Sequence, residues 1–207
     1  GHVVAGVRYI VTSSVMRSSL LATATINLFN FVFHALFILY AVRSLHVRPA
    51  TLGIVLGAGA VGGLIGSFVT SRLGRRLGIG PTYILGCIVF PVPLVLVPLA
   101  GGPYWLILSM LFLAEFGAGL GVMILDISAA SIFAALVPHR LRSRVSGAYM
   151  VVNNGVRPVG SLIGGFLGTA IGLQTTLWIG VVGAAAGFLW LLPSPIPKMR
   201  ELPELAE

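Results

Sequence analysis

Charge is what this sequence has least of. Charged residues make up 9% of the 207, whereas a soluble domain carries about a quarter. Hydrophobic residues reach 57%, and the mean hydropathy is +1.03. Such a chain cannot clothe a globule in water, so soluble fold classes are excluded. Acid is scarcest, with five Asp and Glu in all and none before Glu115. Cysteine is almost missing: Cys87 alone allows no internal disulfide and no cysteine-built metal centre. Its apolar neighbours make it an inert buried thiol. The four histidines are scattered, and only His34 lies in an apolar stretch. No H-E-x-x-H, G-x-S-x-G or P-loop pattern occurs. Metal and nucleophilic chemistry therefore have little support, and no cofactor is expected. A secretory leader is not discernible either. The chain opens on Gly1 rather than Met, which suggests an N-terminally truncated piece of a longer protein.

What is present is a series of apolar stretches punctuated by arginine. The net charge of +8 invites a nucleic-acid reading. The arginines, however, sit in short loops and not on one solvent face with interleaved aromatics, so no nucleic-acid partner is expected. A helix needs about 20 apolar residues to cross roughly 30 Å of hydrocarbon. Six stretches qualify: Ser18–Val42, Ala50–Thr70, Pro81–Ala100, Tyr104–Leu136, Val145–Ile171 and Thr175–Leu192. The fold class expected is an all-α membrane protein, a bundle of six transmembrane helices over residues 18–192. Residues 1–17 read as a linker or interfacial segment, and 193–207 as a poorly ordered tail. Pro91, Pro93 and Pro98 should bend or break the third span. The fourth would measure roughly 50 Å and must tilt or project beyond the bilayer.

Gly66–Gly78, GSFVTSRLGRRLG, reads as a tight basic reversal at a membrane surface. Pro138–Arg144 is a second. The N-terminal segment, these two turns and the tail lie on one side of the alternating spans and hold ten basic residues. Arg43 and Arg48 are the two on the other side. This asymmetry places both ends of the chain in the cytoplasm.

Gly57 to Gly62 matches the G-x-G-x-x-G dinucleotide pattern, but no strand precedes it and no acid follows until Glu115. A packing face is the better reading, with Gly53, Gly57, Gly62 and Gly66 letting another helix approach. Gly160, Gly164 and Gly168 form a second such face, and Gly117 and Gly121 a third.

Polar groups inside the spans carry the functional signal, because a charge at mid-bilayer is costly and faces a partner or a wet path. Glu115 and Asp126 are eleven residues apart, close to three turns, and so share a helix face. Counted along their helices, Glu115 and Arg157 both lie near the midplane, roughly 17 Å and 18 Å in, and Asp126 lies about 33 Å along, near the cytoplasmic edge. Arg157 is therefore expected to find Glu115, with Asp126 reachable only through tilt. Asn153 sits one turn from Arg157. Asn27, Asn30 and His34 share a face of the first span. Glu115, Arg157, Asn153, Asn27, Asn30 and His34 are candidates for a substrate or ion path. The plain alternative is that they only tie helices together, and for Asp126 a structural ion pair is preferred. A membrane enzyme using Glu115, Asp126 and His34 would require those side chains to converge.

Arg72, Gly74, Arg75 and Arg76 make an R-x-G-R-R turn after the second of six spans. This resembles the C-terminal half of a major facilitator superfamily transporter, whose turn reads G-x-L-A-D-R-x-G-R-R. Ser71 replaces its aspartate and Ser67 its leading glycine. Val137–Gly168 resembles the "P-x-x-L-R-G-R-V … R-P-x-G-x-L-x-G-G-x-L-G" segment of the bacterial drug- and siderophore-efflux branch. Pro138, Leu141, Arg142, Arg144, Val145, Arg157, Pro158, Gly160, Gly164 and Gly165 fit, and Ser143 stands in place of a glycine. The resemblance implies a secondary transporter of a bacterial inner membrane, a proton-coupled exporter working by alternating access. It further implies a gating, cytoplasmic-motif role for Arg72, Gly74, Arg75, Arg76, Arg142 and Arg144. The partners implied are a missing N-terminal half of six helices, membrane lipid, a small-molecule substrate and protons. A non-transporting membrane subunit is the remaining alternative.

Overall fold

Proline and glycine decide where the apolar stretches end as helices. The computed structural model describes residues 8–200, so expectations for residues 1–7 and 201–207 lie outside the described residues. Helix α1 is Ser14–Arg43, opened by Ser13, whose hydroxyl accepts the Met16 N–H at 3.4 Å. Helix α2 is Pro49–Leu77, with proline in its first turn, where no helical donor is lost. Helix α3, Ile79–Val89, stops ahead of Pro91. A 3-10 turn over Val92–Val95 and the short helix α4, Leu96–Leu99, complete that segment. The expected break at the prolines is thus found. Helix α5 is Tyr104–Leu136, α6 is Arg142–Ala170, and α7 is Leu173–Ala186, continued by a 3-10 stretch over Gly187–Leu191.

Five of these segments are long and apolar enough to cross a membrane: Ser14–Arg43, Pro49–Leu77, Ile79–Leu99, Tyr104–Leu136 and Leu173–Leu191. Helix α6 is as long as α2 but less apolar, because Ser146, Tyr149, Asn153, Asn154 and Arg157 lie along it. Helix α1 packs against α6 and α7, and α5 packs against α2 and α3. Phe33, Phe37, Tyr83, Leu111 and Leu177 fill the core between these helices.

Three expectations are corrected. The first basic turn is mostly not a turn. Arg72, Arg75 and Arg76 belong to the last turns of α2, and the reversal is confined to Gly78 at φ +92°. Arginine is a good helix former, so nothing stops α2 before a glycine that can take positive φ. Arg142 and Arg144 likewise open α6. The second correction concerns the tail, where residues 196–198 form a 3-10 turn and Ile196 is fully buried. Met199 O accepts the Gly80 N–H at 2.9 Å, and a Cβ on Gly80 would strike the Ile196 carbonyl. The tail is held because two glycines let its backbone lie directly on the α2–α3 junction. Third, the glycine face of α2 is rotated from the expected one. Gly62 and Gly66 meet the α5 backbone at Phe116 and Leu120, whereas Gly53 and Gly57 face open space. Gly160, Gly164 and Gly168 all meet α1, and Gly117 and Gly121 meet the α3 segment at Pro93 and Phe90.

The two ends of the bundle differ. At one end Arg142 donates to the carbonyls of Ala134 (2.6 Å) and Val137 (3.2 Å), and Tyr9 donates to Leu136 O (2.6 Å). These bonds satisfy carbonyls at the end of α5 that have no helical donor. Ile10 packs there with Met16, Val137 and Val145, and Tyr9 packs beside it, so the segment before α1 is anchored through Tyr9 and Ile10. At the opposite end the junctions near Ser44, Gly101 and Gly172 come together around a shallow recess, where Gln174 donates to Pro98 O at 2.7 Å.

Candidate functional site

Two polar ridges face each other across the α1–α6 contact. On α1 they are Ser19, Thr23 and Asn27; on α6 they are Tyr149, Asn153 and Arg157. Each set is spaced i, i+4, i+8, which keeps it on one helix face. The glycines at 160 and 164 bring α6 close enough for these ridges to touch. Asn27 Nδ2 donates to Asn153 Oδ1 at 3.1 Å and to Thr23 O at 3.0 Å. The Tyr149 hydroxyl lies 2.7 Å from Thr23 Oγ1, and Ser19 Oγ lies 2.9 Å from the buried Tyr83 hydroxyl. Asn153 Nδ2 donates to Tyr149 O at 3.2 Å.

Beside these ridges a cleft of about 370 Å³ opens between α1, α5 and α6. Asp126 enters it from α5, and Asn154 and Arg157 from α6; Leu125, Ile132 and Phe133 form its apolar floor. Arg157 rests over the Phe31 ring, 5.4 Å from the centroid, a cation–π contact. Pro158 follows Arg157 within the helix. Its missing N–H leaves the Asn154 carbonyl without a helical donor, a further acceptor on this wall.

Several sequence-derived candidates lie elsewhere. Glu115 is buried where α5 meets α2, its carboxylate beside Gly59, and Oε1 has no hydrogen-bond partner. It does not line the cleft, so the expected approach of Arg157 to Glu115 is not made. Asp126 shares the cleft with Arg157 instead. The two acids share a face of α5 but not an environment. Helices that cross diverge along their length, so one face meets α2 at one level and open cleft at another. Asp126 also lacks the structural ion pair expected of it, since among the described residues no cationic nitrogen lies within 4.0 Å of its carboxylate. Asn30 points its Oδ1 into the protein without a partner. His34 packs edge-on to Phe33 and Phe37, with centroids 5.5 Å and 6.3 Å away. His34, Glu115 and Asp126 are not brought together, so the arrangement offers no acid–base centre made of those three. Arg72, Arg75, Arg76 and Arg144 are exposed at the helix ends, and Gly74 has open space beside it.

Ser19, Thr23 and Tyr149 were not singled out from sequence. Their i, i+4, i+8 spacing with Asn27 and Arg157 was the available signal. Hydroxyls are common in apolar helices, however, and only their facing one another distinguishes these. The arrangement can hold a small molecule through hydrogen bonds and charge, in a wall otherwise made of apolar helices. A search of curated proteins found no match. Residues 19–207 match the family model described as Major Facilitator Superfamily, and the chain with its apolar helices belongs to that family, as a multi-pass membrane protein of the transporter type.

Proposed function

We propose that this chain is the C-terminal six-helix half of a secondary active transporter, a proton-coupled exporter of small molecules that works by alternating access. The observation that carries this reading is the polar cleft beside Asn27, Asn153 and Arg157. Polar side chains cost too much in lipid to be gathered there without a wet path to line. Helix α6, fifth of the spans in chain order, is counted alongside the five apolar ones, its polar face turned to the cleft and not to lipid. The N-terminal six-helix half would cover the apolar faces of α2 and α6, where Leu64, Phe68, Leu162 and Phe166 are each at least 66% exposed. Rocking of the two halves about a site between them would expose it to each side in turn.

Glu115 is our choice for the proton site, a buried carboxyl with an unpartnered oxygen on the helix that also carries Asp126. The arginine-rich ends of α2 and α6 would face the cytoplasm of a bacterium and act as gating elements. Export, rather than import, follows from the resemblance of Val137–Gly168 to the drug- and siderophore-efflux branch.

The test is flux. Full-length protein in proteoliposomes, given an imposed proton gradient and a panel of fluorescent amphiphiles, should accumulate at least one of them. A protonophore should abolish that accumulation. Gradient-independent flux would overturn proton coupling. No flux for any compound would overturn the transporter reading and favour a non-transporting membrane subunit.

A further inference from the structure

The groups lining the cleft divide into those already bonded and those still open. Asn27, Asn153, Thr23 and Tyr149 bond to one another or to backbone carbonyls. The open charged groups are the Asp126 carboxylate on α5 and the Arg157 guanidinium on α6. They are of opposite sign and belong to different helices. Among the described residues they form no ion pair within 4.0 Å. Arg157 lies over the Phe31 ring and is exposed along the cleft, and its guanidinium donors remain for an anion. The Asn154 carbonyl, freed by Pro158, adds an acceptor near that end. Leu125, Ile132 and Phe133 lie along the same cleft.

A ligand with one charge would satisfy one of these groups and leave the other desolvated against it. A ligand with both charges satisfies both. Resting on the transporter reading of this cleft, we propose that the site takes zwitterionic amphiphiles, with the anionic group on Arg157, the cationic group on Asp126 and an apolar body on the floor between them.

Rhodamine B tests this, because it carries a carboxylate and a delocalised cation, whereas its ethyl ester keeps only the cation. Fluorescence anisotropy with full-length protein in detergent measures the binding of each dye. Rhodamine B should bind about tenfold more tightly, the scale of one charge-assisted hydrogen bond. Arg157→Met should erase that preference and Arg157→Lys should keep most of it. Asp126→Asn should weaken both dyes. If Arg157→Met does not fold, the wild-type comparison and the Lys and Asn variants still decide. Equal binding of the two dyes, binding of neither, or an equal loss of both in Arg157→Met would overturn the proposal. Dye binding needs no gradient, so failure here is separable from failure of transport. A protein that moves the ester as well as the zwitterion would remain a transporter without this specificity.

Discussion

At the scale of single residues, the informative contrast is between Glu115 and Arg157. Both are ionisable groups carried on apolar helices, but Glu115 is buried in a helix contact and Arg157 is exposed along the cleft. Glu115 lies against Gly59 with one oxygen unsatisfied, and Arg157 lies on Phe31 in the cleft. Glu115→Gln keeps shape and removes the ionisable group, so folded yield should hold or rise. If Glu115 is the proton site proposed above, flux driven by an imposed proton gradient should fall by about a hundredfold or more, the scale typical of a positioned proton-transfer group. Because the two side chains share no partner, Glu115→Gln and Arg157→Met should add in thermal stability to within about 0.5 kcal/mol. A double-mutant cycle on the full-length protein measures this. Coupling well above that would mean the two groups meet in the working protein.

At the scale of elements, glycine sets how closely helices approach. A Cβ on Gly62 would run into the Phe116 carbonyl of α5, whereas one on Gly53, in the same helix, would meet nothing within 4 Å. Gly62→Ala should therefore cost about 1–3 kcal/mol by forcing α2 away from α5. Gly53→Ala should be neutral or slightly stabilising, since alanine is the better helix former. Thermal unfolding in detergent compares them, and equal effects would refute the close α2–α5 packing. The sequence already marked α2 as a glycine-faced helix, but the face it suggested included Gly53 and Gly57. Several glycine stripes wind around this helix. Which of them meets a neighbour depends on the rotation of α2 about its axis, and a single sequence does not encode that rotation locally.

At the scale of the whole molecule, the basic ends of α2 and α6 and the connections near Ser44 and Gly172 define opposite ends of the bundle. On the proposed topology the positive-inside bias would put the arginine-rich end in the cytoplasm. With Cys87 replaced, a cysteine at exposed Ser44 should react with a membrane-impermeant maleimide added to intact cells, and one at exposed Ser71 should not. The reverse pattern would invert the orientation. The docked segment at residues 196–200 belongs to this scale as well, because Gly80 and Met199 tie it to the α2–α3 junction.

The helical membrane class, the approximate spans and the break at Pro91 and Pro93 were determined by the sequence alone. Their causes are local: run length against bilayer thickness, scarcity of charge, and a proline that removes its own N–H. Three features were decided only by tertiary structure. Arg157 shares a cleft with Asp126 and not with Glu115, because depth counted along separate helices ignores tilt and crossing. Ser19, Thr23 and Tyr149 became part of the site because α1 and α6 turn those ridges toward each other. Residues 194–200 are ordered because glycines more than a hundred positions earlier leave room for their backbone. A sequence shows which groups a helix carries and at what height. Only the packing of one helix on another determines which of those groups meet.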